Sequence, residues 1–185
     1  MRVGVLALQG DFREHAGLLT RMGHTPVLIR RTEELDGIDA LVIPGGESTT
    51  IGKLADRYGL LEPLRAVIGN GLPTLGTCAG LIFLAAGTTG PTQVQLGVLD
   101  VVVERNAFGR QVDSFESELD VAGFAEPLHA VFIRAPIVEK VGGDVEVLAA
   151  VDGDPVMVRQ GHIVATSFHP ELLGETRVHE LMLGS

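Results

Sequence analysis

Cys78 is the one cysteine in the chain, and it stands inside Gly76-Thr77-Cys78-Ala79-Gly80. A thiol becomes a useful nucleophile when it is held as thiolate beside a base. The flanking residues predict a place for that. Leu72 to Leu75 leads in as an apolar strand, and Leu81-Ile82-Phe83-Leu84-Ala85-Ala86 leads away as a helix. This has the form of a nucleophile elbow, a sharp strand-to-helix turn with small residues where larger ones would clash. Backbone N–H groups at the start of a helix favour thiolate over thiol. A buried structural cysteine fits the same five residues.

A cysteine nucleophile needs a base, and the base needs an orienting partner. His169-Pro170-Glu171 offers both, directly after the strand-like run Ile163 to Phe168. Pro170 restricts the turn, and Glu171 can accept from the imidazole and fix its tautomer. A surface turn fits this short string as well. His15, His24, His129, His162 and His179 have no comparable setting and read as structural or surface residues. No Cys/His spacing suggests a metal site.

The third segment is Val42-Ile43-Pro44-Gly45-Gly46-Glu47-Ser48-Thr49-Thr50. Paired glycines let backbone N–H groups approach a ligand, as an oxyanion hole requires. The expected donors are the N–H groups of Gly46 and of Ala79, the residue after the nucleophile. The phosphate-loop pattern is absent, and an ordinary glycine turn remains open.

The elements that must carry these segments alternate in the first half. Val3 to Leu8, Thr25 to Ile29, Ala40 to Ile43 and Pro73 to Thr77 predict strands. Asp11 predicts the cap of a helix carrying Phe12, Ala16, Leu19 and Met22, and Leu54 to Ile68 a helical stretch broken near Tyr58-Gly59. That alternation implies an α/β fold, a mostly parallel central sheet covered on both faces as a three-layer sandwich. The second half predicts short strands at Leu96–Glu104, Phe115–Val121, Ala130–Arg134, Val145–Val151, Val156–Gln160 and Ile163–Phe168, as antiparallel hairpins added to one side of the sheet. A last helix is expected over Glu175 to Leu183. In such sheets ligands gather beyond the carboxyl ends of the strands, where Cys78 and His169 both fall.

Composition narrows the function classes. The 185 residues, 45% hydrophobic with mean hydropathy +0.30, predict a single globular domain over 1–185. Fourteen basic against 24 acidic residues give a net charge of −10, which speaks against a nucleic-acid partner. One cysteine forms no internal disulfide, which suits a reducing cytoplasm. No apolar stretch reaches the roughly 20 residues of a membrane span. Met1-Arg2-Val3-Gly4-Val5 runs straight into a strand, so no signal peptide is expected.

Taken in order, Gly45-Gly46-Glu47-Ser48-Thr49, Gly76-Thr77-Cys78-Ala79-Gly80-Leu81 and Ser167-Phe168-His169-Pro170-Glu171-Leu172 resemble the class I, triad-type glutamine amidotransferases. Within that family the glutaminase subunits of two-subunit pyridoxal 5′-phosphate synthases are the nearer match. Gly4-Val5-Leu6-Ala7-Leu8-Gln9-Gly10, Arg105-Asn106-Ala107-Phe108-Gly109-Arg110-Gln111, Phe115-Glu116 and Phe132-Ile133-Arg134-Ala135-Pro136 sharpen it. The resemblance implies a flavodoxin-like fold and hydrolysis of L-glutamine to glutamate and ammonia, with Cys78 as nucleophile, His169 as base and Glu171 as orienter. It implies a glutamine pocket of Gly46, Glu47, Ser48, Arg105, Ile133 and Arg134, the last two acting partly through their backbone. No cofactor is implied. The implied partner is a (β/α)8-barrel synthase subunit that uses the ammonia to make pyridoxal 5′-phosphate (vitamin B6), and activity without it is expected to be weak. Gln9 and Gly10, at the end of the first strand, are candidates for that interface. Two departures stand out: Ala107 where relatives often carry Ser, and a short final helix at Leu183-Gly184-Ser185. Two other readings fit a flavodoxin-like sheet with an elbow cysteine: a DJ-1/PfpI-type cysteine hydrolase or stress protein, and a non-catalytic binding protein.

Overall fold

A computed structural model of the protein describes residues 1–105 and 114–184. The segment Asn106 to Gln111, Ala107 among it, therefore lies outside the described residues, as does Ser185. In chain order the elements are β1 (Arg2–Leu6), α1 (Phe12–Arg21), β2 (Thr25–Ile29), β3 (Ala40–Ile43), α2 (Ser48–Arg57), α3 (Leu61–Gly69), β4 (Thr74–Thr77), α4 (Ala79–Leu84), β5 (Ala85–Thr89), β6 (Leu99–Glu104), β7 (Ser114–Leu119), β8 (Leu128–Ile133), β9 (Ile137–Val141), β10 (Glu146–Val151), β11 (Asp154–Gln160), β12 (Ile163–Thr166) and α5 (Arg177–Leu183). Two short 3₁₀ turns, Thr32–Leu35 and Pro170–Leu173, complete them.

Seven strands form the main sheet in the order β10-β11-β12-β4-β3-β1-β2. From β12 to β2 every pairing is parallel, while β10 and β11 extend the β12 edge antiparallel. The central strands are short runs of apolar residues because both faces are covered. Alternation sorts them: Leu41 and Ile43 enter one core with Ile51, Leu64 and Phe83, while Ala40 and Val42 enter the other with Leu19, Phe132 and Val178. So α2, α3 and α4 cover one face, and α1 and α5 the other.

The hairpin expectation holds at β10–β11 and β11–β12 and is too simple elsewhere. Among the described residues β7 and β8 pair only with each other, and β5, β6 and β9 form a separate small sheet. Ala85-Ala86, expected to continue the helix, instead open β5, which pairs with β6 from Ala85 onward. The helix expected from Leu54 begins six residues earlier, at Ser48. Asp11 occupies the N-cap of α1 without capping it: its side chain makes no cap hydrogen bond, and its carboxylate turns toward His169. Among the described residues no helix is long and apolar enough to cross a membrane.

Candidate active site

The parallel strands end together, and the loops after β1, β3, β4 and β12 meet at one edge. Cys78 bridges β4 and α4 with φ 50° and ψ −102°. A non-glycine residue so placed costs on the order of 1–3 kcal/mol, which the surroundings must offset. They do so at close quarters. The Cys78 N–H donates to the Thr166 carbonyl at 2.7 Å, tying the elbow to β12. A Cβ on Gly80 would collide with the Ile43 carbonyl, so only glycine lets α4 start this close to β3. The thiol is nearly buried, with Sγ 4.0 Å from the Ile133 carbonyl oxygen.

His169 leaves β12 into the turn Pro170–Leu173, with Pro170 in the first turn where it lacks no bond. The His169 N–H donates to Val131 at 3.0 Å. Its Nδ1 lies 2.7 Å from Glu171 Oε1, and both side chains are buried. A carboxylate only accepts, so Nδ1 carries the proton and Nε2 is left for the sulfur. Burial alone would push His169 down; Cys78 and Glu171 outweigh it and hold its pKa up at about 10. Burial raises the Glu171 carboxyl above its ordinary range, and the imidazole pulls it back. A Cβ on Gly45 would strike the His169 ring, so the ring lies against the β3 loop. Asp11, Oδ2 3.5 Å from Nδ1, shares this corner. Asp11, His169 and Glu171 offer ligand atoms within 4.8 Å of one another. The imidazole Nδ1 is already bonded to Glu171.

The β3 loop is held by its neighbours. Gly46 has φ 147°, and Gly10 packs behind Gly45, whose carbonyl accepts from the Asp11 N–H at 3.1 Å. Gln9 Oε1 accepts from the Glu47 N–H at 2.7 Å, so this side chain is tied into the loop. Glu47 caps α2, accepting from the Thr49 and Thr50 N–H groups at 3.1 and 2.7 Å. Partial burial raises its pKa, but these bonds prevail and lower it to about 2. Arg105 reaches the same carboxylate at 3.3 Å and also donates to Thr49 and Gln93. Ser48 is buried and its hydroxyl donates to Gln93 at 3.1 Å.

Cys78 and His169 open onto a cavity of about 370 Å³. Gly46 and Ala79, the expected oxyanion donors, line it beside the sulfur. So do Glu47, Ser48 and Arg105 on one wall, Ile133 and Arg134 on another, and Gln9. Glu171 stands behind His169, outside the cavity, and Gly10 lies beneath the loop. Arg134 has φ 44°, which turns the chain at the cavity wall. Sequence reasoning missed Asp11 and Ile82, which also line the cavity, and His15, whose Nε2 lies 3.3 Å from Glu171. Asp11 follows Gln9-Gly10 and could have been suspected from that neighbourhood; His15 carried no such signal.

The profile of the SNO glutamine amidotransferase family matches residues 5–185. A relative from Frankia casuarinae, "Pyridoxal 5'-phosphate synthase subunit PdxT", is 60% identical over 187 residues, covering 100% of this chain and 94% of that one. The protein of the same name from Mycolicibacterium vanbaalenii is 56% identical, with 100% and 97% covered. A solved structure described as a glutamine amidotransferase superposes with TM-score 0.93 at 53% identity, with 99% of each chain covered. PurLQS from Thermotoga maritima, at 17% identity and TM-score 0.69, shares the fold.

Proposed function

The chain belongs to the SNO glutamine amidotransferase family, and we propose that Cys78, His169 and Glu171 are the triad with which it hydrolyses L-glutamine for pyridoxal 5′-phosphate synthesis. The observation that carries the assignment is a strained elbow cysteine and a buried His169, backed by Glu171, opening on one cavity.

His169 Nε2 takes the proton of the Cys78 thiol, and the thiolate attacks the side-chain amide carbon of glutamine, forming an S–C bond as the C=O π bond opens. The amide oxygen takes up the negative charge and is held by backbone N–H groups of Gly46 and Ala79. The imidazolium of His169 gives its Nε2 proton to the amide nitrogen, the C–N bond breaks, and ammonia leaves. A water then loses a proton to Nε2 and attacks the thioester; the C–S bond breaks and glutamate departs. Glu171 keeps Nδ1 protonated throughout. Glu47, Ser48, Arg105, Ile133 and Arg134 form the amino-acid pocket. Arg105 already leans on Glu47, so a substrate carboxylate would share that guanidinium rather than meet it free.

The ammonia passes to a synthase subunit. In our reading that partner is a (β/α)8 barrel, the complex is cytoplasmic, and the chain works as one domain. Gln9 and Gly10 lie against the loop carrying Gly46, so a partner touching them could set the oxyanion donors. Ammonia release should therefore rise when the synthase subunit is added to the purified chain. Equal rates with and without it would refute the gating.

A further inference from the structure

Glu171 has two carboxylate oxygens, and His169 uses only one. Oε1 holds Nδ1 of His169, while Oε2 is buried and meets no hydrogen-bond partner in good geometry. A buried charged oxygen in that condition is costly, so any donor close to it matters. His15 Nε2 lies 3.3 Å from Oε2 and 3.1 Å from the Thr77 hydroxyl. The other ring nitrogen, Nδ1, lies 2.9 Å from Nε2 of His179. Both rings are fully buried. His15 shares the buried face of α1 with Leu18 and Leu19, and His179 comes from α5.

One proton must lie between the two rings. Burial first, then the neighbouring histidines, holds His15 well below its ordinary range, and burial lowers His179 to about 4. Both are then neutral at pH 7, each with one N–H. Were the shared proton on His15 Nδ1, the lone pair on Nε2 would face the carboxylate oxygen. With it on His179 Nε2, the His15 Nε2–H faces Thr77 Oγ1 and Glu171 Oε2, and the unmatched group is moved to His179 Nδ1, which meets no hydrogen-bond partner among the described residues, away from the carboxylate.

We propose that His15, kept in its Nε2–H tautomer by His179, is a positioning residue that supplies the second donor to Glu171 and keeps that carboxylate charged and aimed at His169. The proposal rests on the reading of Glu171 as the orienter. The approach of His15 Nε2 to Oε2, at 3.3 Å and off line, is the kind that tightens as charge develops on the imidazole. Among the described residues the ionisable side chains facing Glu171 are His169 from the loop after β12, Asp11 ahead of α1, and His15 from α1; Glu175 faces His179. His15 alone among them offers a neutral donor to Oε2.

The test combines nitrogen-15 imidazole spectra of the wild-type chain with pH profiles of ammonia release, measured with the synthase subunit present. The spectra should show His15 protonated at Nε2; protonation at Nδ1 overturns the proposal whatever the variants do. His15→Phe should lower kcat about tenfold, leave KM for glutamine unchanged, and move the acid limb of kcat/KM to higher pH, because Glu171 loses a donor to its charged form. His15→Gln, whose amide nitrogen can stand in for Nε2, should recover most of the rate and return the limb. An unmoved limb in His15→Phe, or no recovery in a folded His15→Gln, refutes it. A wild-type chain that releases no ammonia would instead end the glutaminase reading, and the spectra would still decide the tautomer.

Discussion

Cys78→Ala should abolish ammonia release from glutamine, a fall of more than about 10⁴-fold, and leave the fold intact. The substitution removes the only atom that can form the thioester. It keeps the backbone bond to Thr166 and the space around the elbow, since alanine is smaller than the cysteine it replaces. Residual turnover should come only from water in an otherwise formed site. Circular dichroism and a melting curve check the fold, and an ammonia-coupled assay with the synthase subunit checks the loss. A folded Cys78→Ala protein that still turned over glutamine at the wild-type rate would remove the nucleophile from the scheme.

The second large effect is expected at Glu171. Glu171→Gln preserves shape but removes the charge facing His169 Nδ1, and an amide can present an N–H there as readily as an oxygen. The imidazole can then take the wrong tautomer, as in other triads whose orienting acid becomes an amide, where the loss is about 10⁴-fold in kcat. KM for glutamine should hardly change, because Glu171 stands outside the cavity. Stability supplies a second readout. The folded pKa of His169, about 10, lies above its ordinary 6.5. Its contribution to stability is fully present below pH 6.5 and is lost as pH rises through about 10. Glu171 helps to raise that pKa, so in Glu171→Gln the fall in melting temperature over this window should flatten. An equally steep fall would mean that Glu171 does not sustain the imidazolium.

Thr25–Ile29 and Ala40–Ile43 were legible to the residue, because each is a short apolar run fenced by turn residues. The residues of the proposed triad could be singled out because they sit at strand ends with small or rigid neighbours. What escaped depended on contacts between distant segments. Ile137–Val141 follows a proline turn and carries Glu139 and Lys140, so nothing marks it as a strand until β6 pairs with it. Ala85-Ala86 favour helix by propensity, and sheet pairing overrides that preference. Asp11 reads as a cap until His169, far along the chain, comes beside it. His15 and His179 are 164 positions apart, and each alone is a histidine on an apolar helix face.

The unfavourable backbone at Cys78 has a consequence for engineering. Glycine adopts φ 50° freely, so Cys78→Gly would relax the elbow while removing the proposed nucleophile. On the proposed assignment, a thermostability campaign on this scaffold that selects for heat resistance alone would then enrich inactive clones at residue 78. Robustness and turnover pull in opposite directions there, and any library covering residue 78 must be sorted on product formation as well as on survival.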